Sequence, residues 1–196
     1  KARLGYITNN ASRTPDEVAA QIAGYGLPAD AVDVVTSPQA AVRVLSRAVP
    51  AGAKVLVVGG KGLTDEVRAA GFQVVTLASE KPAAVIQGFS PKVGWEELAQ
   101  ASFALQEDPL RPWIATNTDW TIPVEGGIAP GNGALVSAVH LAVGRLATFA
   151  GKPEKEIFDV ATERFSPHGG ALMIGDRLDT DILGANRGGM ASALVL

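Results

Sequence analysis

The chain has 196 residues, 47% of them hydrophobic and 19% charged, with a net charge of −3 and no cysteine. That balance reads as a soluble globular chain with a sizeable core, and it excludes disulfides, cysteine chemistry and a strongly basic nucleic-acid-binding surface. No apolar run approaches the length of a membrane span.

An apolar run over residues 4–7 ends in Thr8-Asn9-Asn10 and reads as a strand with its loop. A helix follows, with Thr14 as N-cap, Pro15 at N1 and Glu17 at N3, the residues of a capping box. Val18, Ile22 and Tyr25 share its apolar face, and Gly26 stops it. The same grammar returns at Ser37-Pro38, with Ala41, Val44, Leu45 and Ala48 as the stripe. Residues 54–58 read as a strand ending in Gly59-Gly60-Lys61-Gly62, followed by a helix over 64–70 and a strand over 72–77. This is βαβ patterning. The glycine-lysine turn lacks the spacing of a phosphate loop or of a dinucleotide fingerprint, and it reads as an ordinary βα connection.

The alternation continues with a strand over 83–87 and a helix over 95–105, opened by Glu96 and Glu97 at its positive end. A short strand over 113–115 ends in Thr116-Asn117-Thr118-Asp119-Trp120. Residues 123–133 are dense in glycine and proline and are expected to form a long loop. Helices are expected over 134–148 and 155–164, with Gly151-Lys152-Pro153 between them. A strand over 171–174 leads into Gly175-Asp176-Arg177-Leu178-Asp179-Thr180-Asp181, then a helix-compatible run over 182–187 and a final strand over 193–196. Asp176 and Asp181 thus stand at the carboxyl end of a buried strand, the rim at which open α/β sheets bind ligands. Carboxylates there suit a hard cation such as Mg²⁺. On the residues alone a second reading stays open, in which Asp179 or Thr180 caps the next helix and the other acids are solvated.

Taken in order, TNNASRT, Asn117-x-Asp119 with its glycine-rich sequel, Gly151-Lys152-Pro153 and GDRLDTDI resemble the motifs of the haloacid dehalogenase superfamily of phosphatases. The resemblance is to the subgroup with a large α/β cap between the second and third motifs. It implies an α/β fold: a Rossmann-like core with a parallel sheet over residues 1–45 and 148–196, and an inserted α/β cap domain over 46–147. It also implies a Mg²⁺-dependent phosphatase that cleaves small phosphomonoesters through a phosphoaspartate, with glycerol 3-phosphate or phosphoglycolate favoured. On that pattern the Thr8 hydroxyl and the loop at Asn9 hold the phosphate, and Lys152 offsets negative charge. Asp176 ligates the metal, and Asp181 holds the metal's water shell or the lysine. Asn117, Asp119 and Trp120, with the turn over 131–133, are expected to select the leaving group from the cap. Arg177 and Asp179 receive no role. The expected partner is a small phosphorylated metabolite, with no nucleic acid and no membrane, in the cytoplasm, and with a homodimer through the cap as an option.

The family's first motif, an Asp-x-Asp pair carrying the nucleophile, has no counterpart in these residues outside Asp179-Thr180-Asp181 of the fourth motif. A parallel sheet without its central strand leaves apolar faces and ladder groups unpaired. A segment ahead of Lys1 is therefore expected to carry the nucleophile. The alternative is a non-catalytic phospho-ligand-binding or scaffold protein with the same fold.

Overall fold

The computed structural model describes residues 3–196. Strand β1 (Tyr6–Thr8) pairs in parallel with β2 (Val34–Thr36), and α1 (Pro15–Gly24) connects them. The expected capping box is present: Thr14 Oγ1 accepts from Glu17 N, and Glu17 Oε2 accepts from Thr14 N. The helix ends at Gly24, and Gly26 turns the chain at φ +81°.

Next come α2 (Ser37–Ala48), β3 (Lys54–Val58), α3 (Lys61–Ala69), β4 (Gln73–Val75), β5 (Ala84–Gln87), α4 (Trp95–Glu107) and β6 (Trp113–Ala115). A hairpin of β7 (Thr121–Val124) and β8 (Gly127–Pro130) leads to α5 (Asn132–Val143) and β9 (Thr148–Phe149). Strands β3, β4, β5, β6 and β9 form one parallel sheet in the order β4-β3-β5-β6-β9. Its strands are apolar on both faces because both faces are covered. Side chains alternate across it. Val55, Val57, Ile86 and Ile114 face one core with Leu45 of α2 and Leu63 and Val67 of α3. Leu56, Val58, Val85 and Trp113 face the other, against Ala104 and Leu105 of α4 and Val136 and Val139 of α5.

The chain closes with α6 (Lys155–Phe165), β10 (Leu172–Gly175), α7 (Leu183–Arg187) and β11 (Ala191–Leu194). Ile157 and Phe158 of α6 are fully buried in the first of those cores, and Gly184 of α7 lies so close to the Phe158 ring that an added Cβ would sit 2.3 Å from it. Strands β10 and β11 pair in parallel with each other. Among the described residues, β1 and β10 each keep one edge without a strand partner. Leu172 and Ile174 of β10 are 58% and 61% exposed, high values for apolar residues in a parallel strand.

The expected helix over 64–70 and final strand over 193–196 shift to Lys61–Ala69 and Ala191–Leu194, and two elements change more. Residues 123–133 are not one long loop: most of them belong to the antiparallel β7–β8 hairpin, closed by Glu125-Gly126, and Asn132 already opens α5. Pro123 and Pro130 fit this ribbon because an edge position needs no N–H for the ladder. The helix expected over 134–148 begins at Asn132 and stops at Val143, where Gly144 takes φ +73° and caps it. The expected division between residues 45 and 46 falls inside α2, which packs on β2 as well as on β5 and β6. That between 147 and 148 falls just ahead of β9, which pairs with β6. No helix among the described residues is long and apolar enough to cross a membrane.

Candidate active site

Loops leaving the carboxyl ends of β1, β6, β9 and β10 converge on Lys152. Its Nζ donates to Asp181 Oδ1 at 2.6 Å and to the Ile7 carbonyl at 3.2 Å. The two side chains are only 14% and 5% exposed. A pair this deep needs further hydrogen bonds to offset desolvation. The Ile7 carbonyl supplies one, and the Arg177 N–H donates to Asp181 Oδ2 at 3.2 Å. Asp181 reaches this position from a wide π-type turn over Leu178–Ile182, in which the Ile182 N–H bonds back to Arg177 O at 3.2 Å. Gly175 makes room for it: a Cβ there would lie 2.4 Å from Asp181 Cβ.

Thr8 ends β1, and its hydroxyl oxygen accepts from the Asn10 N–H at 3.1 Å. Asn10 Oδ1 accepts from the N–H groups of Ser12 and Arg13 and so shapes the loop. The loop rests on the first turn of α3, where Gly62 N donates to Ser12 O at 3.3 Å and an added Cβ on Gly62 would stand 2.3 Å from Arg13 O. Only Gly59 and Gly60 form the connection, and α3 opens at Lys61, three residues before the expected start; its first turn is a docking seat for the chain itself.

The Asn9 carboxamide is engaged by protein groups. Its Oδ1 accepts from Lys152 N at 2.8 Å, while Nδ2 donates to Lys152 O and to Asp119 Oδ1, each at 3.0 Å. Its backbone carbonyl accepts from Asn117 Nδ2 at 2.8 Å and from Ser37 Oγ at 2.9 Å. Asn117 is buried and also accepts from Asp119 N on its Oδ1. Asn132 Nδ2 donates to Asn117 O at 2.9 Å. Asp119 is half-buried, and burial pushes its carboxyl pKa up against the Asn9 hydrogen bond and the positive charges of Arg177 and Lys152. The turn over 131–133 closes on its main chain: Gly133 N donates to Asp119 O at 2.9 Å, and a Cβ on Gly131 would sit 2.2 Å from the same oxygen.

The structure therefore gathers Thr8, Asn9, Lys152, Asp181, Asn117 and Asp119 into one cluster, although they are spread over most of the chain. Trp120 stands apart, 64% exposed at the foot of the hairpin. Asp176 follows β10 directly and is exposed, and neighbouring Arg177 is paired with Asp179 at 2.8 Å. No group of three metal-ligating side chains converges among the described residues. Mg²⁺ does not require one, since it is commonly held by one or two carboxylates, water and a substrate phosphate. An exposed carboxylate at a strand end fits that requirement as a single ligand. Ser37 joins the cluster without a signal in the sequence, and Asn132 joins it from within the expected turn over 131–133. Ser37 reads in the sequence as a helix start, and only the glycines flanking Asn132 mark a special backbone there.

Residues 1–73 match a family model described as haloacid dehalogenase-like hydrolase, and residues 149–196 match one described as HAD-hydrolase-like. The chain is 44% identical over its full length to the D-glycerol 3-phosphate phosphatase of Mycobacterium tuberculosis and spans 55% of that relative's length. It is 38% identical to the glycerol-3-phosphate phosphatase of Gallus gallus, over 99% of this chain and 69% of the relative. Among solved structures, a glycerol phosphate phosphatase from M. tuberculosis in complex with magnesium superposes with a TM-score of 0.95 at 43% identity, over 100% of this chain and 59% of that one. A thermostable NPPase from Geobacillus stearothermophilus gives 0.88 at 32% identity, over 97% and 75%.

Proposed function

This chain belongs to the haloacid dehalogenase-like hydrolases, and on that premise we propose that the full-length protein is a Mg²⁺-dependent phosphatase of small phosphomonoesters, glycerol 3-phosphate first among them. The observation that carries the reading is the buried Lys152–Asp181 pair beside Thr8: an ammonium, a carboxylate that orients it and a hydroxyl at the rim of β1. Phosphoryl transfer is catalysed chiefly by positioning and by charge stabilisation around the transferred group, and these are the groups it calls for. In this reading Thr8 Oγ1 donates its proton to a phosphoryl oxygen while accepting from Asn10 N. Lys152 stabilises negative charge on the phosphoryl group, and Asp176 is the metal ligand. Bound Mg²⁺ would supply further neutralisation of phosphate charge.

The nucleophile belongs to a strand between β1 and β10, contributed by chain ahead of Lys1. Support comes from the free edges of those two strands and the exposed Leu172 and Ile174 beside them. Substrate choice is assigned to the loop after β6, which carries Asn117 and Asp119. We keep the division into a core and an inserted α/β unit, with its boundaries near α2 and β9. The names of the relatives favour glycerol 3-phosphate over phosphoglycolate.

The test is steady-state kinetics of the full-length protein with glycerol 3-phosphate and nitrophenyl phosphate, with and without Mg²⁺. Hydrolysis of neither sinks the reading. Asp119→Ala is expected to lower kcat/KM about tenfold or more for glycerol 3-phosphate and much less for nitrophenyl phosphate, because a site built to bond a hydroxyl discriminates against substrates without one. Equal fractional losses on the two would make Asp119 a purely structural residue.

A further inference from the structure

We propose that Asn9 is a positioning residue that sets the Lys152 ammonium and the Asp119 loop in one register, and that its side chain does not bind substrate. The inference rests on the phosphatase reading for its kinetic consequences and on geometry alone for the contact itself. One carboxamide engages both main-chain polar groups of Lys152, accepting from its N–H at 2.8 Å and donating to its carbonyl at 3.0 Å. Two antiparallel hydrogen bonds to one peptide segment fix its orientation as a strand neighbour would. They also fix where the Lys152 side chain leaves the backbone, and so where Nζ meets Asp181.

The same Nδ2 donates to Asp119 Oδ1, so its two protons serve two different loops. Its donors and one acceptor lone pair are thereby committed to protein. The approach depends on Gly151: a Cβ there would lie 2.5 Å from Asn9 Oδ1 and 2.4 Å from Thr116 O. Asn9 thus ties the loops after β1, β6 and β9 together across sequence separations of 110 and 143 residues. A substrate that settles against Asp119 acts on the lysine through one intervening side chain.

The experiment is a double-mutant cycle in the full-length enzyme. The Asn9 backbone carbonyl keeps its bonds to Asn117 and Ser37 in any side-chain variant, so Asn9→Ala is expected to fold. It should lower kcat/KM for glycerol 3-phosphate about tenfold or more. Combined with Lys152→Met it should add little to the loss from Lys152→Met alone, since both changes remove the same positioned ammonium. A loss within about twofold, or full multiplication of the two losses, overturns the proposal. Asn9→Asp sets a carboxylate against Asp119 and should be worse than Asn9→Ala. Adding Asp119→Asn to it restores a donor–acceptor pair and should recover at least about threefold with nitrophenyl phosphate, the substrate on which Asp119 itself is expected to matter little. No recovery would overturn the link to the loop. If the wild type hydrolyses no phosphomonoester, the phosphatase reading has failed and the contact is decided by the crystal structure of Asn9→Ala. There Lys152 Nζ should leave Asp181 Oδ1, and an unchanged pair overturns the proposal.

Discussion

On the proposed phosphatase function, Lys152→Met in the full-length protein is expected to lower kcat/KM for a phosphomonoester by about two to three orders of magnitude, the range seen when a preorganised charge-stabilising donor is removed. The change has a second cost. Asp181 is 5% exposed and its Oδ1 has Lys152 as side-chain partner. Methionine leaves that carboxylate buried without a counter-charge, which typically destabilises by about 3–5 kcal/mol. The two effects separate in the pair variant Lys152→Met with Asp181→Asn. A neutral amide no longer needs the ammonium, so denaturant stability should return toward wild type while activity stays low. Kinetics and urea unfolding on the same three proteins check this. A loss of activity within about twofold for Lys152→Met would remove the lysine from the chemistry.

Asp176→Ala separates differently. The residue is exposed, so folding stability should move by no more than about 0.5 kcal/mol. Activity should fall about a hundredfold or more. That corresponds to roughly 3 kcal/mol, within the several kcal/mol a bound cation contributes to charge stabilisation. The calorimetric signal of Mg²⁺ binding should weaken in step. An unchanged rate with an unchanged Mg²⁺ requirement would exclude Asp176 as the ligand. Together the two variants distinguish a site lost through its metal from one lost through its lysine, because only the second disturbs the fold.

Much of the framework was legible because its signals are local. Thr14 and Glu17 lie three residues apart and cap one helix, and the run over 113–115 is a short buried strand with matching bounds in the structure. The hairpin after Trp120 escaped because its glycines and prolines mask the alternation that marks a strand, and the ribbon is only four residues on each side. The helix after it stops short of its expected end because Gly144 takes a left-handed backbone, although apolar residues continue past it. Of the cluster, Thr8, Asn9, Asn117, Asp119, Lys152 and Asp181 are legible by resemblance, whereas Trp120 stands apart, Ser37 carries no signal and the wiring is not legible. That Asp181 faces Lys152 was one of two roles implied by the family resemblance. That Asn9 spends its side chain on Lys152 and Asp119 was not foreseeable, since the partners are brought together by three separate loops and an asparagine after a strand carries no mark of which neighbours it will meet.

The double-faced apolar strands of the five-stranded sheet have one more consequence. A strand with a polar side resists sliding by one residue, because the slip would turn that side into the core. Val55, Leu56, Val57 and Val58 offer no such resistance, since both sides are already apolar. What resists is at the strand ends. Exposed Lys54 opens β3, while buried Gln87 closes β5, where its Oε1 accepts from Trp113 Nε1 at 3.3 Å. Sliding β3 would pull an ammonium inward, and sliding β5 would break the Gln87 contact and leave a polar group stranded. These end residues act as stops, and the stop beyond β6 is Thr116-Asn117, already part of the site. A mispaired strand and a misplaced loop after β6 are therefore one and the same error, and the chain that avoids the first has already avoided the second.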